Sequence, residues 1–92
     1  MENNTYNGWT NYETWRVNLE LVDGRQDHYL EMIKEDNDIS TYDLANMIAD
    51  DVYEFLSTEV NDQSTVFSYA NAFISNVNWY EIAEHIAEEL NA

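Results

Sequence analysis

Cysteine and proline are absent from the 92 residues, glycine occurs only at Gly8 and Gly24, and Lys and Arg together number three. Each shortage excludes something. Without Cys there is no disulfide, no zinc–thiolate centre and no thiol catalysis, so the fold must hold by its core. The lack of Pro and near-lack of Gly suit helices joined by short turns. No apolar run approaches the roughly 18–20 residues of a membrane span. The opening MENNTYNGWT has neither a basic n-region nor an apolar run, so no signal peptide is expected there.

The shortage of bases is also uneven. Residues 1–34 hold six acids and all three bases (Arg16, Arg25, Lys34), whereas residues 35–92 hold thirteen acids and no Lys or Arg. The net charge of -16 would repel nucleic acid, because neutralising phosphates needs clustered bases. Anionic membrane surfaces are disfavoured for the same reason. Like charges one helical turn apart cost a few tenths of a kcal/mol, about what an opposite pair contributes. A long stretch without a base tolerates that repulsion throughout. Solubility, a halophilic host or chance is one explanation; a surface shaped to meet a basic partner is the other.

What is present is enough for a core. Hydrophobic residues make up 45% of the chain, which argues against disorder despite the charge. Thirteen aromatics, seven of them Tyr, supply much of the burial. The length fits one domain burying roughly 60–65% of its unfolded surface.

The strongest helical pattern is Ser40 to Val60, where Leu44, Ile48, Val52, Phe55 and Leu56 recur at helical spacing with Ala45 beside them. Ser40 is an N-cap and Asp43 its capping-box partner. Before it, Asn11 caps a helix from Tyr12 with Tyr12, Trp15, Leu19 and Val22 on one face. Trp15, Val17, Leu19 and Leu21 also alternate as a strand would, but no second segment offers a pairing strand, so helix is expected. Asp23-Gly24 is expected to break that helix, with Asp23 capping a short one over Gln26 to Glu35 that turns Tyr29, Leu30 and Ile33 inward. Glu35 to Ile39 reads as a loop and Asn61 to Gln63 as a turn, with Asp62 or Ser64 as cap. Val66, Ala70, Phe73, Ile74 and Val77 form the stripe of a fourth helix. Its neutral outer positions, Ser68, Asn71 and Ser75, suggest a covered or contact surface. Asn78 caps the last helix, with Glu81 as capping-box partner and Trp79, Ile82, Ala83, Ile86 and Leu90 inward. The expectation is an all-α, single compact domain of about five short helices: a flexible segment over residues 1–10, with Trp9 folding back as an anchor, and one helical domain over 11–92. Its core would contain Trp15, Leu19, Ile33, Leu44, Ile48, Val52, Phe55, Phe73, Trp79, Ile82 and Ile86.

Little in the sequence suggests catalysis. Glu81, Glu84, His85 and Glu88 form the only metal-like cluster. Carboxylate-bridged di-iron bundles use Glu-x-x-His in two copies; here the spacing is Glu-x-x-x-His, and it occurs once. A solvated polar face accounts for it. DNDISTYDLANM, read as a calcium loop from Asp36, has Thr41 where the loop needs Gly and Met47 where it needs a bidentate Glu. His28 beside Asp27 and Glu31 is an ordinary surface arrangement. There is no glycine-rich phosphate loop. No enzyme activity, no cofactor and no metal are expected.

Asn11-Tyr12-Glu13-Thr14-Trp15 and the run from Ser75 to His85, SNVNWYEIAEH, resemble a family of small, acidic, largely uncharacterised proteins from phages and mobile elements. The two motifs lie near opposite ends, so the resemblance spans most of the chain. Arg16 and Glu20 depart from it, standing where apolar residues are expected. The resemblance implies a viral or plasmid origin and a place in the cytoplasm of an infected or plasmid-bearing bacterial host. Small acidic phage proteins are often antagonists of host defence, of the anti-CRISPR or anti-restriction type. Carboxylates a turn or two apart, about 6 to 10 Å by helical rise, approximate the spacing of successive phosphates. The expected function is therefore a non-enzymatic inhibitor, a DNA mimic in the limiting case, whose partner is a basic, nucleic-acid-binding host defence protein. The expected contact residues are Asp43, Asp50, Asp51, Glu54, Glu59 and Asp62, with a second ridge of Glu81, Glu84, Glu88 and Glu89. One alternative is an adaptor or assembly protein binding through apolar and aromatic surface, its acidity serving solubility. The other is a metal-dependent enzyme built on His85.

Overall fold

A computed structural model describes residues 5–60 and 64–90 of the chain. The first four residues of the segment expected to be flexible, and the turn over Asn61 to Gln63 with its candidate cap Asp62, lie outside the described residues. Five α-helices run in order: α1 (Tyr12–Val17), α2 (Gln26–Glu35), α3 (Thr41–Glu59), α4 (Thr65–Ile74) and α5 (Trp79–Leu90). Between α1 and α2 the backbone stays helical, through a π-helical turn at Asn18–Val22 and a 3-10 turn at Asp23–Arg25. The fold is all-α, as the sequence predicts, and no strand is assigned among the described residues. The molecule is a slab of 41 × 39 × 20 Å, and its thin dimension is about two helix diameters.

The core is built on α3 and α5. Leu44, Ala45, Ile48 and Val52 of α3 and Ile82, Ala83 and Ile86 of α5 are buried. The two helices are antiparallel: Tyr53 meets Trp79 at 6.3 Å between ring centroids, while Leu44 at the other end shares a groove with Ala87 and Leu90. Tyr29 and Ile33 of α2, Val17 and Val22 of the first helical segment, and Ile74 and Val77 complete the core.

Caps start four of these helices where the sequence puts them, the first at Asn11, whose Oδ1 accepts from the Thr14 N–H at 2.9 Å. Ser40 Oγ accepts from the Asp43 N–H at 3.0 Å, and the Asp43 carboxylate accepts from the Ser40 N–H at 3.2 Å, a complete capping box. Ser64 Oγ accepts from the Phe67 N–H at 3.0 Å, and Asn78 Oδ1 from the Glu81 N–H at 3.1 Å.

The first helical segment differs from expectation in phase. Leu19 is 52% exposed and Tyr12 is exposed, whereas Thr14, Val17 and Val22 are buried. On a regular α-helix Val17 and Val22 would sit about 140° apart. The π turn closes with the Asp23 N–H donating to the Asn18 carbonyl, five residues back, and returns both valines to the core. Leu19, two residues after Val17, lies about 160° round the helix from it and so faces outward. Asp23 does not cap α2, because Asp23-Gly24 continues the helical path instead of breaking it.

Phe55 is also outside the core, 43% exposed. Helix α5 begins at Trp79, beside Tyr53, so it does not extend over the last turns of α3. Val66 at the start of α4 and Leu90 at the end of α5 are exposed for a related reason: they lie at helix ends beyond the core.

Candidate functional site

The outer face of α3 carries Asp43, Asp50 and Glu54, all exposed. By helical rise Asp50 and Glu54 are about 6 Å apart, and Asp43 and Asp50 about 10 Å. Glu59, exposed, ends the helix; Asp62 lies outside the described residues. Neither α3, α4 nor α5 contains a Lys or Arg, and the one salt bridge among the described residues joins Arg16 to Glu20 at 2.8 Å, within the first helical segment. The ridge carboxylates therefore have no cation on their own helix or on α4 and α5, with which α3 packs.

Asp51 belongs to a different environment. It is half-buried, and its Oδ2 accepts from the Tyr29 hydroxyl at 2.6 Å. Burial, and then the bond to Asp51, hold the Tyr29 phenol above its ordinary value of 10.0. This bond ties α2 to α3. Asp43 likewise has a structural task in the capping box. The carboxylates with no described partner on this face are Asp50 and Glu54; Glu59, at the helix end, lies about 140° or more round the helix from them.

The second ridge, on α5, divides. Glu81 accepts the Thr10 N–H on both carboxylate oxygens, at 2.9 and 3.2 Å. One turn on, His85 stacks on Trp9, with ring centroids 4.0 Å apart and planes 22° from parallel. Glu89 lies beyond, lining a cleft with Trp9, Asp23 and Gln26. Glu81, His85 and Glu89 thus share the face that meets the N-terminal segment, while Glu84 and Glu88 face away, exposed. The quartet Glu81, Glu84, His85 and Glu88 is split between these two sides.

The N-terminal segment reaches α5 through a tight turn. Tyr6 and Trp9 exchange backbone hydrogen bonds of 2.7 and 2.8 Å around Asn7-Gly8, both at positive φ (49° and 88°). Positive φ at both central residues is the signature of a type I′ turn, for which Asn-Gly is the preferred dipeptide. That dipeptide was the sequence signal for an ordered turn, and composition alone missed it. The turn places Tyr6 against Tyr12 and Trp15, at 5.1 and 5.0 Å, and Trp9 over His85.

The two sequence motifs meet in space. Thr14, fully buried, donates its hydroxyl to Asn11 Oδ1 at 2.6 Å and accepts from the Asn78 N–H at 2.8 Å. Asn11 Nδ2 donates to the Asn76 carbonyl at 2.8 Å. Asn78 expects a capping-box carboxylate on its N–H; Thr14 takes that place, which leaves Glu81 free to hold Thr10. The residues that carry the resemblance clasp the first helix to the last.

The remaining feature is apolar. Helix α4 has one buried residue, Ile74. Beside it Val17, Leu21, Leu56, Val66, Tyr69 and Phe73 line a concavity of about 560 Å³. Among the described residues no helix is long and apolar enough to cross a membrane. A family model described as a family of unknown function (DUF7249) matches residues 2–92. No curated protein and no solved structure matches the chain.

Proposed function

We propose, for a chain that belongs to this family of unknown function, that it is a non-enzymatic binding protein that presents the outer face of α3 to a basic partner. The observation that supports this is the pair of exposed carboxylates Asp50 and Glu54, one turn apart, with exposed Glu59 at the end of the same helix, which has no base and lies next to two further helices without one. Holding the uncompensated carboxylates of Asp50 and Glu54 one turn apart has a cost in like-charge repulsion, which a partner rich in Lys and Arg would reverse. Such a surface suits the basic channel of a nucleic-acid-handling protein, and the resemblance to phage and mobile-element proteins makes a host defence effector, met in the bacterial cytoplasm, the partner class. Glu84 and Glu88 form the secondary surface. Asp43, Asp51 and Glu81 serve the fold.

The test is a matched pair of triple variants assayed for association with proteins captured from a bacterial lysate. Asp50→Asn with Glu54→Gln and Glu59→Gln should leave helicity intact and weaken capture mainly through slower association, because exposed charges act by steering. Glu84→Gln with Glu88→Gln and Glu89→Gln removes the same charge elsewhere and should weaken it less. Equal loss in both would mean that only net charge matters. Capture should also fall as salt rises, with a Debye length of about 8 Å at physiological ionic strength.

A second reading, an adaptor binding through apolar and aromatic surface, is favoured by one observation: Val66 and Tyr69 project from α4 beside the apolar concavity. In that reading capture is insensitive to both acidic triples and to salt.

A further inference from the structure

We infer that the side of α4 that carries Val66, Tyr69 and Phe73, with the groove beside it, is the interface for a second copy of this chain, related by a two-fold axis. No charged residue occurs between Asp62 and Glu81, although nearly a quarter of the chain is charged. The apolar stripe of a surface helix is ordinarily covered by the core. Here Val66 is 62% exposed and Tyr69 is 74% exposed. Val66, Tyr69 and Phe73 follow at i, i+3 and i+7, so they form one ridge on α4. All three border the groove of about 560 Å³. A further concavity of about 270 Å³ continues from Glu20 and Leu21 to Phe55. One patch therefore carries both projecting side chains and a hollow of matching apolar character. An isologous contact needs that combination, since the same patch must serve on both subunits.

Charge selects the occupant. Each copy carries -16, so approach through the outer faces of α3 or α5 would set carboxylates against carboxylates. Helix α4 is the one helix of the five with no charged side chain. At the groove's edge Arg16 is already bound to Glu20, and Arg25 and Asp51 border the adjoining hollow with opposite signs. A basic partner finds no carboxylate on α4 to pair with, whereas a second copy meets no repulsion there. The dimer also leaves the acidic ridge open. On the helical wheel of α3, Asp43, Asp50 and Glu54 lie about 120° or more from Leu56, which lines the groove.

The inference stands apart from the proposed function and is tested on the full chain without any partner. Sedimentation velocity and light scattering from micromolar to millimolar concentration should show a monomer–dimer equilibrium. Added salt should tighten it, because screening weakens the residual repulsion between two acidic bodies. Tyr69→Glu buries an unpaired carboxylate at the contact and should raise the dimer Kd more than about tenfold with unchanged circular dichroism. The parent chain has no cysteine, so a single Val66→Cys should form an intermolecular disulfide much faster than Glu84→Cys under mild oxidation. A chain that stays monomeric at every concentration and salt overturns the inference. So does a dimer indifferent to Tyr69→Glu, or equal disulfide rates for the two cysteine variants. A monomer that still captures a basic partner overturns this inference alone; a dimer that captures none supports it while the acidic reading fails.

Discussion

Thr14 and Asn78 stand 64 residues apart in sequence and are joined by a hydrogen bond of 2.8 Å from the Asn78 N–H to the Thr14 hydroxyl oxygen. The same hydroxyl donates to Asn11, the N-cap of the first helix, so one fully buried side chain braces the cap of the first helix and completes that of the last. Thr14→Val keeps the shape and removes both bonds. It leaves the Asn78 N–H without its partner at a part-buried position, so it should cost about 1–3 kcal/mol. Thr14→Ser, which keeps the hydroxyl and loses one methyl, should cost about 1 kcal/mol. Urea unfolding of both variants measures the difference. If Thr14→Val and Thr14→Ser unfold at the same urea concentration, the hydroxyl is not what joins the helices.

Phe55 and Ile48 make a second comparison, because both belong to the α3 stripe and only Ile48 is fully covered. Ile48→Ala should cost about 2–5 kcal/mol through lost transfer energy and the cavity left behind. Phe55→Ala, at a position 43% exposed, should cost no more than about 1.5 kcal/mol, roughly half the full-burial value for an apolar side chain. Thermal unfolding followed by circular dichroism ranks them. A larger loss for Phe55→Ala would mean that the end of α3 is covered in solution.

Tyr29 predicts a pH dependence in the alkaline range. Its folded-state phenol is held above the unfolded value of 10.0, first by burial and then by the Asp51 bond. A group raised on folding contributes stability that is fully present below its unfolded pKa and is lost as pH rises past it. Stability should therefore decline above about pH 10 as unfolded Tyr29 ionises while folded Tyr29 keeps its proton. Tyr29→Phe should be less stable near neutrality by about 1.5–3 kcal/mol, the range for a hydrogen bond to a charged group, and should lose part of the alkaline dependence. In a spectrophotometric titration of the seven tyrosines one phenol should ionise late; if Tyr29→Phe leaves that late step in place, it belongs to another residue.

Gly24 lies in the 3-10 turn without a positive φ, and a Cβ there would meet nothing within 4 Å. Gly24→Ala should stabilise the protein by about 0.4–1 kcal/mol, mainly by restricting the unfolded chain. A raised denaturation midpoint with an unchanged denaturant slope is the expected result. Destabilisation would show that this turn needs glycine's freedom.

The sequence by itself determined the class of fold, the starts of α3 and α5 and most of the core. Those features are local or periodic: Ser40 and Asp43 cap one helix, Asn78 starts another, and Leu44, Ile48, Val52, Ile82 and Ile86 recur at the spacing that gives a helix one buried face. It also determined the excess of carboxylates and the stretch from Asp62 to Glu81 without a charge between them, which are matters of composition. Tertiary structure decided the rest. The π turn resets the phase of the first segment because Val17 and Val22 both find the core, and a helical wheel assumes that no such reset occurs. Phe55 is exposed because α5 starts at Trp79, a boundary set by another element. Asp51 and Glu81, equal to their neighbours in sequence, are held by Tyr29 and Thr10, partners that periodicity cannot supply. A carboxylate's role depends on what stands opposite it, and for residues 22 and 71 positions apart that is fixed only when the chain has packed.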